Sequence, residues 1–435
     1  MKRILLSLVL LVLPMLTFAQ VWSIDDCVEY ALTHNPEILH RQLQYDTQKE
    51  VLSETAVSRV PVINIGVQET LHTGNALIMY SVDENLTMSL TQVAAELEMP
   101  LYTGGAIANS KAAEQYTLKA AGENIIVSKI NTRIRVAAAY LQLLNNMSQE
   151  QIAKEQVDLC EEQLHNVERL VAEGKRTNAD LAEARSSLSS AEHMYTAATG
   201  NTIISKVDLV NMIGLDDETG FEIRDMEDSV EGTEVYPLMP MLNDIDNHPS
   251  VLSARYNMTS AQYREKVARS SRYPQLSFFA NYNNYFYLPI GYKDFHIGSQ
   301  LGSNGWGAFG LKLAVPILDL STSRQITRAK LAYNDAQVTL DESRKELSKQ
   351  LREAYYQTVT ARQRHSSAER AESAALEAYD YQKKMYDVGR STTYDLDQSR
   401  LKWFAASEEV VRSKYEYLLR NKILEYYSSY YNQDN

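Results

Sequence analysis

The chain has 435 residues, a formal net charge of −13, 44% hydrophobic residues and only two cysteines. The acidic balance excludes nucleic acid as a partner, because that requires a basic surface. The length leaves room for several domains, but the order of landmarks described below favours one architecture written twice.

The first predicted element is an export signal. Lys2 and Arg3 precede an apolar run from Ile4 to Phe18, and Ala19 closes it as a cleavage site. Pro14 interrupts the run, which falls short of the ~20 apolar residues a spanning helix needs. Residues 1–19 are therefore expected to be removed, leaving an exported chain without a membrane-spanning helix. Cys27 and Cys160 then read either as two buried thiols or as one bond. Cys27 follows Ser23-Ile24-Asp25-Asp26, which is not a lipid-attachment sequence.

Beyond the signal, landmarks recur at an offset of about 215 residues, far longer than any solenoid period. Asn35-Pro36 returns as His248-Pro249, Arg59-Val60-Pro61 as Arg272-Tyr273-Pro274, and Met99-Pro100-Leu101 as Val315-Pro316-Ile317. Ala139-Tyr140 returns as Ala354-Tyr355, and Gly174 as Gly389. The chain divides accordingly into a first repeat (20–220), an acidic connector (221–247) and a second repeat (248–435). The charge cluster around the connector begins at Asp216 and includes Glu222, Asp225, Glu227, Asp228, Glu231 and Glu234.

Each repeat opens with a predicted helix, Pro36 to Ser58 and Pro249 to Ser271, worth about 35 Å each. Alternation of period two follows. Strands are expected at about 61–71 and 85–99 in the first repeat, and at about 274–287 and 305–317 in the second, with loops at 72–84 and 288–303. The apolar phase slips once between Leu90 and Val93, which suggests a bulge. Proline is then absent from 101 to 236 and after Pro316, so long helices are free to form. Gly105 to Ala172 and Leu320 to Asp387 each allow ~100 Å of helix. A shorter helix returns from Asn178 to Leu215. Ala153, Val157, Cys160, Leu164, Val167 and Val171 step by four and three, as do Leu181, Ala184, Leu188, Ala191, Tyr195 and Ala198. Leu396, Trp403, Val410, Tyr417 and Leu424 fall seven apart. These are seams of antiparallel coiled-coil hairpins.

Long alternating strands with aromatic rims in an exported chain suggest a membrane β-barrel, and the strands alone equally suit a soluble sheet with one wet face. A sheet in lipid cannot leave open edges, so two strand hairpins per chain demand oligomerisation, into eight strands from two chains or twelve from three.

The ordered set of Ala31-Leu32, Asn35-Pro36-Glu37-Ile38, the two strand-to-helix junctions and two Gly-x-x-Thr-x-x-Asp turns resembles the TolC-like outer membrane efflux proteins. The resemblance covers essentially the whole mature chain. It implies a mainly α fold with a membrane β-barrel portion, assembled as a homotrimer with a twelve-stranded barrel in outer-membrane lipid and a twelve-helix periplasmic tunnel. It further implies a passive exit duct for efflux or type I secretion, in the cell outer membrane and extending into the periplasm. A periplasmic adaptor would join it to an inner-membrane RND, ABC or MFS transporter, and opening would follow untwisting of the periplasmic tips.

The two turns are the candidate site. Gly174 and Gly389 suit the left-handed residue that ends a helix. Thr177 and Thr392 suit N-caps, with Asp180 and Asp395 three residues on. With Leu181 and Leu396 they form the expected adaptor-docking tips. Glycine and threonine also read as nothing more than well-made helical turns. The resemblance implies a gate at Asp180, Tyr386, Arg176, Arg390 and Asp395, although the expected arginine two positions after Gly389 is Ser391 here. Asp180 and Asp395 are expected to form an acidic constriction that attracts cations.

An enzyme is excluded by what is missing. Eight histidines are scattered without HExxH spacing, and there is neither a phosphate loop nor a nucleophile elbow. No cofactor is implied. A stand-alone porin would need all its strands in one chain, and a coiled-coil envelope structural protein would leave the strand hairpins unexplained.

Overall fold

The computed structural model describes residues 21–78, 81–218, 220–226, 235–289 and 297–432. The expected signal peptide lies outside these, as do Glu227, Asp228, Glu231 and Glu234 of the connector. Contacts divide the chain into two units, one drawn from residues up to 43, 124–251 and 344 onward, the other from 44–123 and 252–343.

The first unit contains the helical hairpins and a small parallel strand pair, β1 (Val21–Trp22) with β4 (Glu222–Ile223). Helix α1 (Ile24–His34) starts at Ser23, which forms a reciprocal capping box with Asp26. The sequence reading did not place this helix, although Ser23-x-x-Asp26 is its local signal. Asn35 separates it from α2 (Pro36–Val57). Helix α3 (Ala106–Ala172) has 67 residues and α8 (Leu320–Asp387) has 68. The returning helices are α4 (Asn178–Ile213) and α9 (Thr393–Asn432). Helix α4 stops before Leu215 because Gly214 takes a left-handed cap.

Burial follows the heptads. Ala153, Cys160 and Val167 are buried on α3, as are Ala184 and Ala191 on α4. On α8 the buried series Leu340, Leu347, Ala354, Ala361 and Ala368 repeats every seven residues. A strict seven-residue repeat winds helices left-handedly around each other. Cys27 and Cys160 are both free and buried. Side chains of α1, Val136 to Leu144 of α3, Leu209 to Ile213 of α4 and Tyr415 to Tyr426 of α9 make the main core. In that core the hydroxyl of Tyr140 donates toward the carbonyls of Arg224 (2.5 Å) and Trp22 (3.0 Å). The end of α4 meets the start of α2, where Asn35 Nδ2 donates to Met212 O at 3.0 Å. Two short helices, α5 (Leu238–Asn243) and a 3-10 turn, lead into α6 (Pro249–Ser270).

The second unit contains a four-stranded antiparallel sheet in the order β2-β3-β5-β6. Strand β2 is Val62–Ile78 and β3 is Ser81–Tyr102. Strand β5 is Gln275–Pro289, and β6 is Gly305–Ala314. The first hairpin runs on well past residue 71, so most of the expected loop at 72–84 is strand, with residues 79 and 80 outside the described set. Helix α7 (Ile297–Ser303) occupies part of the second expected loop. Strand β6 stops before 317, since Pro316 cannot donate to a ladder.

The expected bulge between Leu90 and Val93 is absent. Pairing is continuous there, from Thr70↔Leu90 to Val67↔Val93, and the register shifts lie at Gly74/Ala76 and Pro100/Tyr102. The phase slip instead records a change of face: Met88 and Leu90 point to one side of β3, and Val93, Ala95 and Leu97 to the other. Gly104 marks the β3-to-α3 junction at φ 63°, where a Cβ would lie 2.7 Å from Ser270 O and 2.8 Å from Tyr273 Cβ. Close approach and left-handed backbone together require glycine.

Candidate functional site

Between the β3-to-α3 junction and the change of face in β3, over residues 62–67 of β2, 93–99 of β3 and their partners on β5 and β6, the sheet is one-sided. Register places Ile63, Leu97, Ala280 and Phe309 in one cross-strand row, with Ile65, Val67, Leu311 and Leu313 on the same face. Phe309 is 81% exposed and Ile65 76%. The opposite face carries Asn64, Glu96, Asn281 and Ala308 in one row, and Gln68, Gln92 and Tyr285 in another. On that polar face Gln92 Nε2 donates to Asn283 Oδ1 at 3.0 Å. A bare apolar face of this size on a soluble sheet would be an aggregation hazard, whereas lipid matches it.

At the helical tips the two turns have the same construction. In the first, Lys175 N donates to Leu170 O (2.8 Å) and Gly174 N to Val171 O (2.9 Å). In the second, Arg390 N donates to Met385 O (2.8 Å) and Gly389 N to Tyr386 O (3.0 Å). Both glycines sit at φ 73° with no heavy atom near a hypothetical Cβ, so conformation alone selects them. Thr177 N and Oγ1 both donate to Asp180 Oδ2, at 2.9 and 2.7 Å, and Asp180 N returns a bond to Thr177 Oγ1 at 3.2 Å. Thr392 and Asp395 repeat this box. Leu396 is buried, while Leu181 is half-buried.

The tips also touch each other. Thr393 Oγ1 donates to Asp180 Oδ1 at 3.0 Å, and the Arg176 guanidinium lies 4.5 Å from the centre of the Tyr386 ring. Tyr386 OH has no hydrogen-bond partner among the described residues. Asp395 is held in its own cap, and Arg390 contributes its main-chain bond. Ser391, at the position where the resemblance places an arginine, accepts a bond from Gln382 within its own hairpin.

Main-chain and hydroxyl bonds from Thr177 hold the Asp180 carboxyl below its usual range, with help from Thr393 and Arg176. A lowered folded pKa stabilises above the unfolded value of ~3.9, and that contribution is lost as pH falls through the folded value. Thr177→Ala is expected to cost about 1 kcal/mol of local stability. Limited proteolysis at the 173–177 turn checks this: cleavage should quicken in the variant at neutral pH, and in the parent on acidification below pH ~4.

Sequence reasoning did not find a buried polar cluster inward of the tips. Asp397 and Arg400 on α9 are 5% and 2% exposed and paired at 2.8 Å. They bind Ser187 of α4 and Gln163 of α3. Nothing local distinguishes these charges from a solvated helix face, because partners from three helices create the burial. Among the described residues no group of His, Cys, Asp and Glu is placed to hold a metal, and no helix is long and apolar enough to cross a membrane.

Residues 28–215 and 244–425 match the family model described as outer membrane efflux protein. The chain belongs to the outer membrane efflux protein family. Outer membrane efflux protein BepC of Brucella suis biovar 1 (strain 1330) is 20% identical over 389 residues, covering 87% of this chain and 82% of that protein. The crystal structure of a membrane protein from Pseudomonas aeruginosa superposes with a TM-score of 0.79 at 16% identity, covering 93% of this chain and 89% of that one. VceC from Vibrio cholerae superposes at 0.76 and 14% identity, covering 93% and 95%. This efflux protein is thus an outer-membrane channel that extends into the periplasm, and its family does not consist of enzymes.

Proposed function

We propose that three copies of this chain close a twelve-stranded barrel and a twelve-helix tunnel, forming a passive exit duct. The observation that carries this is the sheet order β2-β3-β5-β6, whose outer strands β2 and β6 have no partner strand among the described residues. Lipid does not tolerate open edges, so β6 of one copy pairs with β2 of the next. Closed symmetry then repeats the hairpin tips around one axis. The duct takes no energy of its own. A periplasmic adaptor docks at the tips around Gly174, Thr177, Leu181, Gly389, Thr392 and Leu396, and an inner-membrane RND, ABC or MFS transporter supplies the cargo. Opening proceeds by untwisting of the tips, with Asp180, Arg176 and Tyr386 in the contact between hairpins and Asp395 and Arg390 beside it.

The experiment is single-channel recording of the purified protein in planar bilayers. A heat-modifiable trimer of low conductance is expected, blocked by divalent cations at the acidic tips. Asp180→Ala combined with Asp395→Ala should weaken that block and raise conductance modestly. Unchanged block and conductance would leave both residues as helix caps alone. A protein that stays monomeric and conducts no current would overturn the duct.

A further inference from the structure

We infer that the closed state of the tips is held chiefly by the buried Asp397–Arg400 pair, one to two turns inward, rather than by the contacts at the tips themselves. The inference rests on the duct reading above. Arg400 Nη2 lies 2.8 Å from Asp397 Oδ1 within α9. The pair then reaches outward in two directions. Ser187 Oγ of α4 donates to Asp397 Oδ2 at 2.7 Å, and Arg400 Nη1 donates to Gln163 Oε1 of α3. Thus both helices of the first hairpin are bonded to one charged pair on the second. The Tyr379 ring of α8 is buried and stacks on Trp403 of α9 at 5.2 Å, and Trp403 Nε1 donates to Glu372 of α8 at 3.0 Å. All four tip helices therefore converge at this level.

Relative magnitude decides between this cluster and the tips. The tip contacts are one hydroxyl–carboxylate bond and one cation over a ring, with Asp180, Arg176 and Tyr386 all half-buried. Water competes for such groups, and exposed pairs contribute little. Arg400 and Asp397 have almost no access to water, so each depends on the other and on the first hairpin for its solvation. Their satisfaction is also incomplete. Arg400 Nε and Gln163 Nε2 have no hydrogen-bond partner among the described residues. A buried charge that is paired but not fully bonded gains hydration when the helices part. The cluster therefore has two acceptable states, paired and dry or separated and wet, as a latch between hairpins requires.

Removing one member distinguishes a latch from simple packing. In Arg400→Met the Asp397 carboxylate is stranded in the closed state but hydrated in the open one, so the balance moves toward open. Asp397→Leu does the same to Arg400. Replacing both by apolar residues of similar volume removes the charge that needs water and restores closure. The test is bilayer conductance of the trimer for the parent, both single variants, the double variant and Asp180→Ala. Each single variant is expected to raise conductance by about three-fold or more, the double to return near the parent, and Asp180→Ala to change it less. Ser187→Ala, which deletes only one hydroxyl, covers the case in which a single variant fails to assemble, and it should raise conductance by a smaller factor. Single variants at the parent conductance, or a double variant as open as the singles, would overturn the latch, as would Asp180→Ala exceeding both singles. A parent protein that conducts no current would count instead against the duct itself.

Discussion

Phe309→Arg is expected to abolish stable insertion, while Ala308→Arg, one residue away on the same strand, is expected to be tolerated. Phe309 shares its cross-strand row with Ile63, Leu97 and Ala280, and Ala308 shares its own with Asn64, Glu96 and Asn281. Successive side chains on a strand point to opposite faces, so these neighbours meet different solvents. Arginine facing lipid costs up to about 2–4 kcal/mol in each subunit, according to its depth, a cost that symmetry multiplies in a closed barrel. On the polar face the same charge meets water, with Asn281 opposite it and the Glu96 carboxylate one strand further along the row. Outer-membrane fractionation and the heat-modifiable mobility of the assembled protein would show the contrast. Equal loss for both variants would mean that the faces have been assigned wrongly.

The second large effect concerns Tyr140, which is 1% exposed in the centre of the helical core. Its ring packs among α1, α4 and α9 core residues, and its hydroxyl ties the segments carrying Trp22 and Arg224 to α3. Tyr140→Ala should cost about 3–5 kcal/mol through lost burial and the cavity left behind. Tyr140→Phe keeps the ring but deprives the two carbonyls of their donor, at about 1–3 kcal/mol. Thermal unfolding should rank the parent above Phe and Phe above Ala. Proteolysis near residue 22 should quicken already in the Phe variant, because β1 is the element that the hydroxyl secures. If the Phe variant matches the parent in both measurements, the strand pair is held by its own ladder and the packing of Trp22.

The sequence by itself determined the elements whose causes are local. Absence of proline specifies α3, α4, α8 and α9, and heptads of small and apolar residues place the seams of α3, α4 and α9, because helix formation and seam placement depend on neighbours three and four positions away. The Gly-x-x-Thr-x-x-Asp turns were equally legible, since left-handed glycine and a threonine cap are satisfied within a few residues. Tertiary structure decided what depends on partners distant in sequence. The change of face in β3 looked like a bulge until pairing with β2 and β5 showed unbroken register. Nothing local sets Asp397 and Arg400 apart from solvated helix charges, and only the fold encloses them with Gln163 and Ser187. The two tips were recognisable separately, but only the fold brought Thr393 to Asp180 and Arg176 to Tyr386, and left Ser391 turned back on its own hairpin. A side chain's burial is a property of what packs over it, and in this chain those partners lie some 200 residues away along the sequence.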